Sequence, residues 1–320
     1  MEIGPLGVGH GCALPFATMQ RPDTPRPTPC RALSQWLLPP LAALVALCLF
    51  ALPAAAEGRL FPDGTLYPPH VASELRPGFG LVLFAADSGV EEAGSPRFGL
   101  RLGGRFGLVR WTPEAGDGGV RHGGPPVPLQ LDLDAGFRGQ FDVENSLDNI
   151  GWDGNYGLTL SADLGDGWAL RGGLYHTSSH VGDEYSEKTG RQRIGYTREE
   201  VIAGVSWVRS ASWRYYLEGG WSYNSDDNEL RQPGRLEVGA EWRGAPRFVA
   251  GRAGWFAALD VAAFEESDWS PDLTLHAGLA FAGDGREWRV GIVWYDGRNP
   301  IGEFFQAEES YVGLGLWLDV

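Results

Sequence analysis

From Leu129 to Asp142 the chain reads LQLDLDAGFRGQFD and alternates with little interruption. Leu129, Leu131, Leu133, Ala135, Phe137 and Phe141 fall on one side; Gln130, Asp132, Asp134, Arg138, Gln140 and Asp142 fall on the other. A strand has period two, so this stretch predicts one greasy face and one charged face. The pattern recurs. Leu236, Val238, Ala240 and Trp242 oppose Arg235, Glu237 and Glu241, and Val312, Leu314, Leu316 and Leu318 oppose Tyr311, Gly313 and Gly315. Twelve such segments lie near 78–86, 97–111, 128–142, 155–164, 167–180, 197–209, 212–225, 232–244, 251–264, 271–283, 286–297 and 308–320. Many exceed the usual five or six residues of a soluble strand and approach the roughly 9–11 that cross a bilayer at a tilt.

A soluble sandwich also alternates, with its polar face turned to water. Here the polar faces are crowded with glycine and opposite charges, and Trp and Tyr recur near segment ends. That combination predicts an all-β protein, a transmembrane antiparallel up-and-down β-barrel of about 12 strands in the bacterial outer membrane. Short turns at 164–168, 209–212, 243–247 and 283–286 alternate with long links at 143–155, 180–196, 224–234 and 296–310. The short turns mark the periplasmic rim and the long links the exterior. The Gly/Pro-rich linker 112–127 breaks this rule.

Residues 1–56 read as an export signal. Arg21, Arg26 and Arg31 precede the apolar run WLLPPLAALVALCLFALP and then Ala54-Ala55-Ala56, with cleavage expected before Glu57 and a start at Met19 giving a more normal length. Residues 57–77 then form a periplasmic lead-in and 78–320 the barrel. The mature chain keeps neither cysteine nor methionine, so no disulfide holds it. With 26 basic against 41 acidic residues and a formal charge of -15, a nucleic-acid partner is excluded, and outer-membrane lipids are the expected surroundings. Lysine occurs once, at Lys188; the other basic residues are arginine.

Candidate chemistry sits in YHTSSHVGDEY, 175–185. If Trp168, Leu170 and Leu174 meet lipid, His176 and Ser178 share that outward face near the long-link rim. An imidazole and a hydroxyl facing lipid are costly unless bonded. Two rises separate them, roughly 6.5–7 Å, which is compatible with a histidine base activating a serine nucleophile. The base needs an acceptor on its other nitrogen. Glu199 has the right parity on the next segment and is expected near Ser178, with Asp183 and Glu184 in the link as competitors. Backbone N–H groups or a bound cation would stabilise the oxyanion.

His-x-Ser on an outward strand face resembles outer-membrane phospholipase A and the lipid A deacylase barrels. The resemblance implies a lipid-facing Ser-His esterase acting on phospholipid or lipid A acyl chains and, for the phospholipase, a calcium-dependent homodimer. It rests on His176 and Ser178; where the phospholipase carries an Asn shortly before its Tyr-Thr-Arg, this chain has Arg193 ahead of Tyr196-Thr197-Arg198. The stretch HTSSHVGDEY resembles, almost as written, members of an outer-membrane barrel family known as domain of unknown function 1207, which implies the fold and no activity.

Three other readings stand beside the esterase. HTSSH can be a polar cap where the strand leaves the membrane. His176 and His180 with Asp183 or Glu184 can hold a metal, and the acidic links NSDDNE (224–229) and EESD (265–268) can take Ca. The charged lumen can serve a small porin or a purely structural barrel.

Overall fold

The computed structural model describes residues 57–112, 127–224, 232–283 and 286–319. The expected export signal, most of the linker 112–127 and most of NSDDNE lie outside the described residues. Strand β1 is Glu57–Leu60. The strands β2 (Phe79–Ser88), β3 (Arg97–Thr112), β4 (Leu129–Asp142), β5 (Asp148–Gly165), β6 (Trp168–Val181), β7 (Thr197–Val208) and β8 (Trp213–Asn224) follow. The series ends with β9 (Gly234–Arg243), β10 (Ala253–Phe264), β11 (Pro271–Ala282), β12 (Glu287–Arg298) and β13 (Glu308–Asp319). Each of β2 to β13 pairs antiparallel with its neighbours in sequence, and β13 pairs β2, so twelve strands close a barrel as the alternation required. Closure leaves no open edge among these twelve, as hydrocarbon demands.

The two faces separate as expected. Leu83, Leu158, Leu217, Val238, Ile292 and Leu314 point outward and exposed, while Asp134, Arg171, Glu218, Glu237 and Asp260 point inward and are buried. Tryptophans gather toward both rims. Trp168 stacks on Trp207 at 5.3 Å by the short turns, and Trp221 and Trp294 lie toward the long links. This places an apolar band between aromatic girdles.

The segment expected as a lead-in below the barrel is different in the structure. β1 pairs with the far end of β3, Leu60 opposite Val109, and residues 61–78 then run through the interior. A coil inside a barrel carries many carbonyls, and Pro62, Pro68, Pro69 and Pro77 contribute no N–H. Six arginines donate to those carbonyls from the wall. Arg110 reaches Asp63 and Gly64, Arg105 reaches Tyr67, Arg214 reaches Pro68 and Pro69, Arg289 reaches Val71, Arg101 reaches Ser73, and Arg138 reaches Glu74. A guanidinium has five donors in a fixed fork and an ammonium three on a point charge, which explains why the chain uses arginine. Two wall glycines make room: a Cβ at Gly107 would lie 2.8 Å from Pro62, and one at Gly136 would lie 2.5 Å from Pro77. The lumen charges, which could line a small porin or a filled structural barrel, bind the inner segment and one another.

Two long links also differ. The link 143–155 is a turn over 143–147, and β5 begins at Asp148. A bulge at Ile150 breaks the parity there, and Ile150 packs inward with Val181, Tyr185, Ile301 and Phe304, so the greasy/polar contrast vanishes locally. The link 180–196 contains helix α1, Asp183–Thr189, ended by Gly190 at φ 74°. Over the mouth, Gly302–Phe304 turns inward. Glu303 is fully buried and accepts the N–H groups of Ile194 (2.8 Å) and Tyr196 (3.1 Å).

Candidate functional site

The outward face at the long-link end of β5, β6 and β7 carries the candidate residues. Antiparallel pairing sets Tyr156 opposite His176, Gly154 opposite Ser178 and Trp152 opposite His180. On the other side, His176 faces Glu199 and Ser178 faces Thr197. Glu199 was expected near Ser178; the register pairs Ser178 with Thr197, and the carboxylate lands on His176, two residues along the strand.

His176 Nδ1 lies 2.6 Å from Glu199 Oε1, with the two side chains 16% and 27% exposed. A carboxylate accepts, so a neutral His176 carries its proton on Nδ1 and its lone pair on Nε2. The Tyr156 ring stacks on the imidazole with centroids 4.4 Å apart. Ser178 Oγ does not bond His176 in this arrangement; it lies 3.2 Å from Nε2 of His180, whose ring stacks on Trp152 at 4.1 Å. Both imidazoles therefore have a polar partner and an aromatic cover, which is how they are tolerated on a lipid-facing surface. Between Trp152 and Tyr156, Gly154 puts no side chain over Ser178, and a Cβ there would meet nothing closer than 3.5 Å.

The sequence missed Trp152, because 143–155 read as a loop, while Tyr156 fell inside the segment 155–164 and only the register sets it opposite His176. Once β5 is extended, the parity of Trp152 with Leu158 is the signal that finds it. The remaining candidates are not brought together. Asp183 and Glu184 open the first turn of α1, where negative charge suits the helix N-terminus, and make no bond to His176 or Ser178 among the described residues. His176 and His180 are four rises apart, about 13 Å, and turn to different partners, so the proposed chelate with Asp183 or Glu184 does not form. In EESD, Glu265 accepts the Gly234 N–H at 2.9 Å and Glu266 pairs with Arg198 at 3.0 Å, so both carboxylates serve internal structure.

Among solved structures, the chain is similar to outer membrane phospholipase A from Escherichia coli, with TM-score 0.50 and 14% identity over 79% of this chain and 94% of that one. It is equally similar to the Salmonella typhi outer membrane phospholipase dimer with bound calcium, with TM-score 0.50 and 14% identity over 80% and 92%. At that identity the likeness is one of fold, a bacterial outer-membrane barrel. No curated protein matches the sequence. Residues 128–319 match the family described as Protein of unknown function (DUF1207), and the chain belongs to that family.

Proposed function

We propose that this outer-membrane barrel is a lipid acyl hydrolase working on the outward face of β5–β7. The observation that carries the reading is the His176–Glu199 pair, an imidazole oriented by a carboxylate with its Nε2 lone pair on the face that holds Ser178. In this reading one χ1 step turns the Ser178 hydroxyl from His180 to His176. Ser178 Oγ attacks the ester carbonyl, and His176 takes its proton as Glu199 steadies the imidazolium. The alkoxide leaves as its alcohol with the proton from His176, and water then frees the fatty acid by the same base. The open strip at Gly154 leaves a path for an acyl chain lying along the barrel. A fold shared with an outer membrane phospholipase supports a lipid ester as substrate.

The filled interior favours the outer surface over transport through the lumen. A small porin is the alternative, and it requires residues 61–78 to leave the barrel.

The test is fatty-acid release from phospholipid and lipid A micelles by the mature chain refolded in detergent. It is run with calcium and with chelator, because the Salmonella typhi neighbour is a dimer with bound calcium. Ser178→Ala and His176→Ala should abolish release, and Glu199→Gln should lower kcat about 10²–10⁴-fold. His180→Ala separates the two imidazoles: retained release assigns the base to His176. No release from either lipid refutes the enzyme, and single-channel conductance then tests the porin.

A further inference from the structure

Deep in the lumen, three donors from three parts of the chain converge. His70 comes from the inner segment, Glu237 from β9 and Asp260 from β10, and one ligand atom of each lies within 4.8 Å of the other two. All three are buried: 6%, 0% and 1% exposed. The wall is shaped for this. Gly239 lies opposite both Tyr216 and Asp260, and a Cβ on it would sit 2.1 Å from Tyr216 Cζ. Without that side chain, the Tyr216 ring lies across the wall, donates its hydroxyl to Asp260 Oδ2 at 2.5 Å and stacks beneath His70 at 3.6 Å.

Charge sets this cluster apart. Asp153, Glu200, Glu218 and Glu241 each face a guanidinium. Asp260 makes no ion pair among the described residues; it faces a second carboxylate and an imidazole. A buried carboxylate beside another needs a proton or a cation between them.

We propose that His70, Glu237 and Asp260 bind a divalent transition cation, of which Zn²⁺ is the best fit. One imidazole nitrogen and two carboxylates leave a fourth position for water, whereas Ca²⁺ asks for six to eight oxygens. A four-coordinate ion with bonds of about 2.0–2.1 Å holds its ligands about 3.3 Å apart, within the span observed. The surrounding bonds orient each ligand. Arg76 (3.1 Å) and Arg235 (3.0 Å) hold Glu237 by Oε2 and leave Oε1 toward His70 Nδ1, 2.7 Å away. Tyr216 holds Asp260, and the Tyr67 hydroxyl meets His70 Nε2 at 3.1 Å. Binding displaces the proton shared by His70 and Glu237. A cavity of about 70 Å³, lined in part by Asp260, Arg76 and Arg235, adjoins the cluster and has room for the ion's water. The ion ties the inner segment to the β9–β10 wall.

The test uses the untagged mature barrel, folded in detergent, stripped with chelator and titrated with ZnSO4 by calorimetry; folding is checked by heat-modifiable migration on a gel. One equivalent should bind and raise the melting temperature. His70→Gln and Asp260→Asn should each weaken binding by more than about 100-fold, and Co²⁺ should show the visible bands of a low-symmetry site that both variants lose. His70 lies outside the strands, so its variant decides the matter if Asp260→Asn does not fold. Binding that is absent, unchanged in His70→Gln, or lost in a His176→Ala/His180→Ala variant overturns the proposal.

Discussion

Replacing Arg214 by methionine tests how the inner segment is held. Arg214 donates to the carbonyls of Pro68 (2.6 Å) and Pro69 (2.7 Å) and to Ser206 Oγ (2.8 Å), and it pairs with Glu241 at 3.2 Å. Methionine fills similar space and makes none of these bonds. Each stranded carbonyl costs about 1–3 kcal/mol, and breaking a buried ion pair costs about 3–5 kcal/mol. Glu241 keeps the Val71 N–H at 2.8 Å, and water entering from the rim recovers part of the loss. The low end of each range applies, so Arg214→Met should cost about 4–5 kcal/mol. Much of it should appear as release of the inner segment before the strands unfold. Hydrogen exchange resolves this: amides over 67–76 should lose protection while β8 and β9 keep theirs, and urea midpoints by tryptophan fluorescence should fall. Arg214→Lys keeps the charge without the fork and should lose about 1–3 kcal/mol. Arg214→Met with Glu241→Gln removes the stranded charge and should recover about half of the single variant's loss. A loss under about 1 kcal/mol for Arg214→Met, or a double variant no better than the single, refutes the idea that guanidinium forks anchor this segment.

Other perturbations probe separate parts. Gly136→Leu drives a side chain into Pro77 and should cost about 1–3 kcal/mol, read as faster exchange over 72–78. Leu158, outward on β5 and 52% exposed, should tolerate Ile; Leu158→Arg should cost about 2–4 kcal/mol in bilayers, measured by reversible urea unfolding. A double-mutant cycle with His176→Ala and Glu199→Gln should give a coupling of about 1–2 kcal/mol, and a value near zero denies the pair. Glu303→Ala removes the carboxylate that accepts from Ile194 and Tyr196 and should speed exchange at those two amides.

The sequence by itself determined the barrel. Alternation is a local property, written residue by residue, and no more than the count and parity of greasy positions was needed to place twelve strands, their lipid and lumen faces, and the outward direction of His176 and Ser178. It failed where parity breaks or contrast disappears: the bulge at Ile150 hid seven residues of β5, and with them Trp152. The tertiary structure decided the rest, because those contacts join residues far apart in the chain. Register placed Glu199 opposite His176 rather than Ser178. The interior course of 61–78 depends on guanidiniums from β3, β4, β8 and β12, up to 218 positions away. His70 meets Glu237 across 167 residues. A coil rich in proline looks like a tail in sequence, and only closing the wall around it shows that the arginines were there to satisfy its carbonyls.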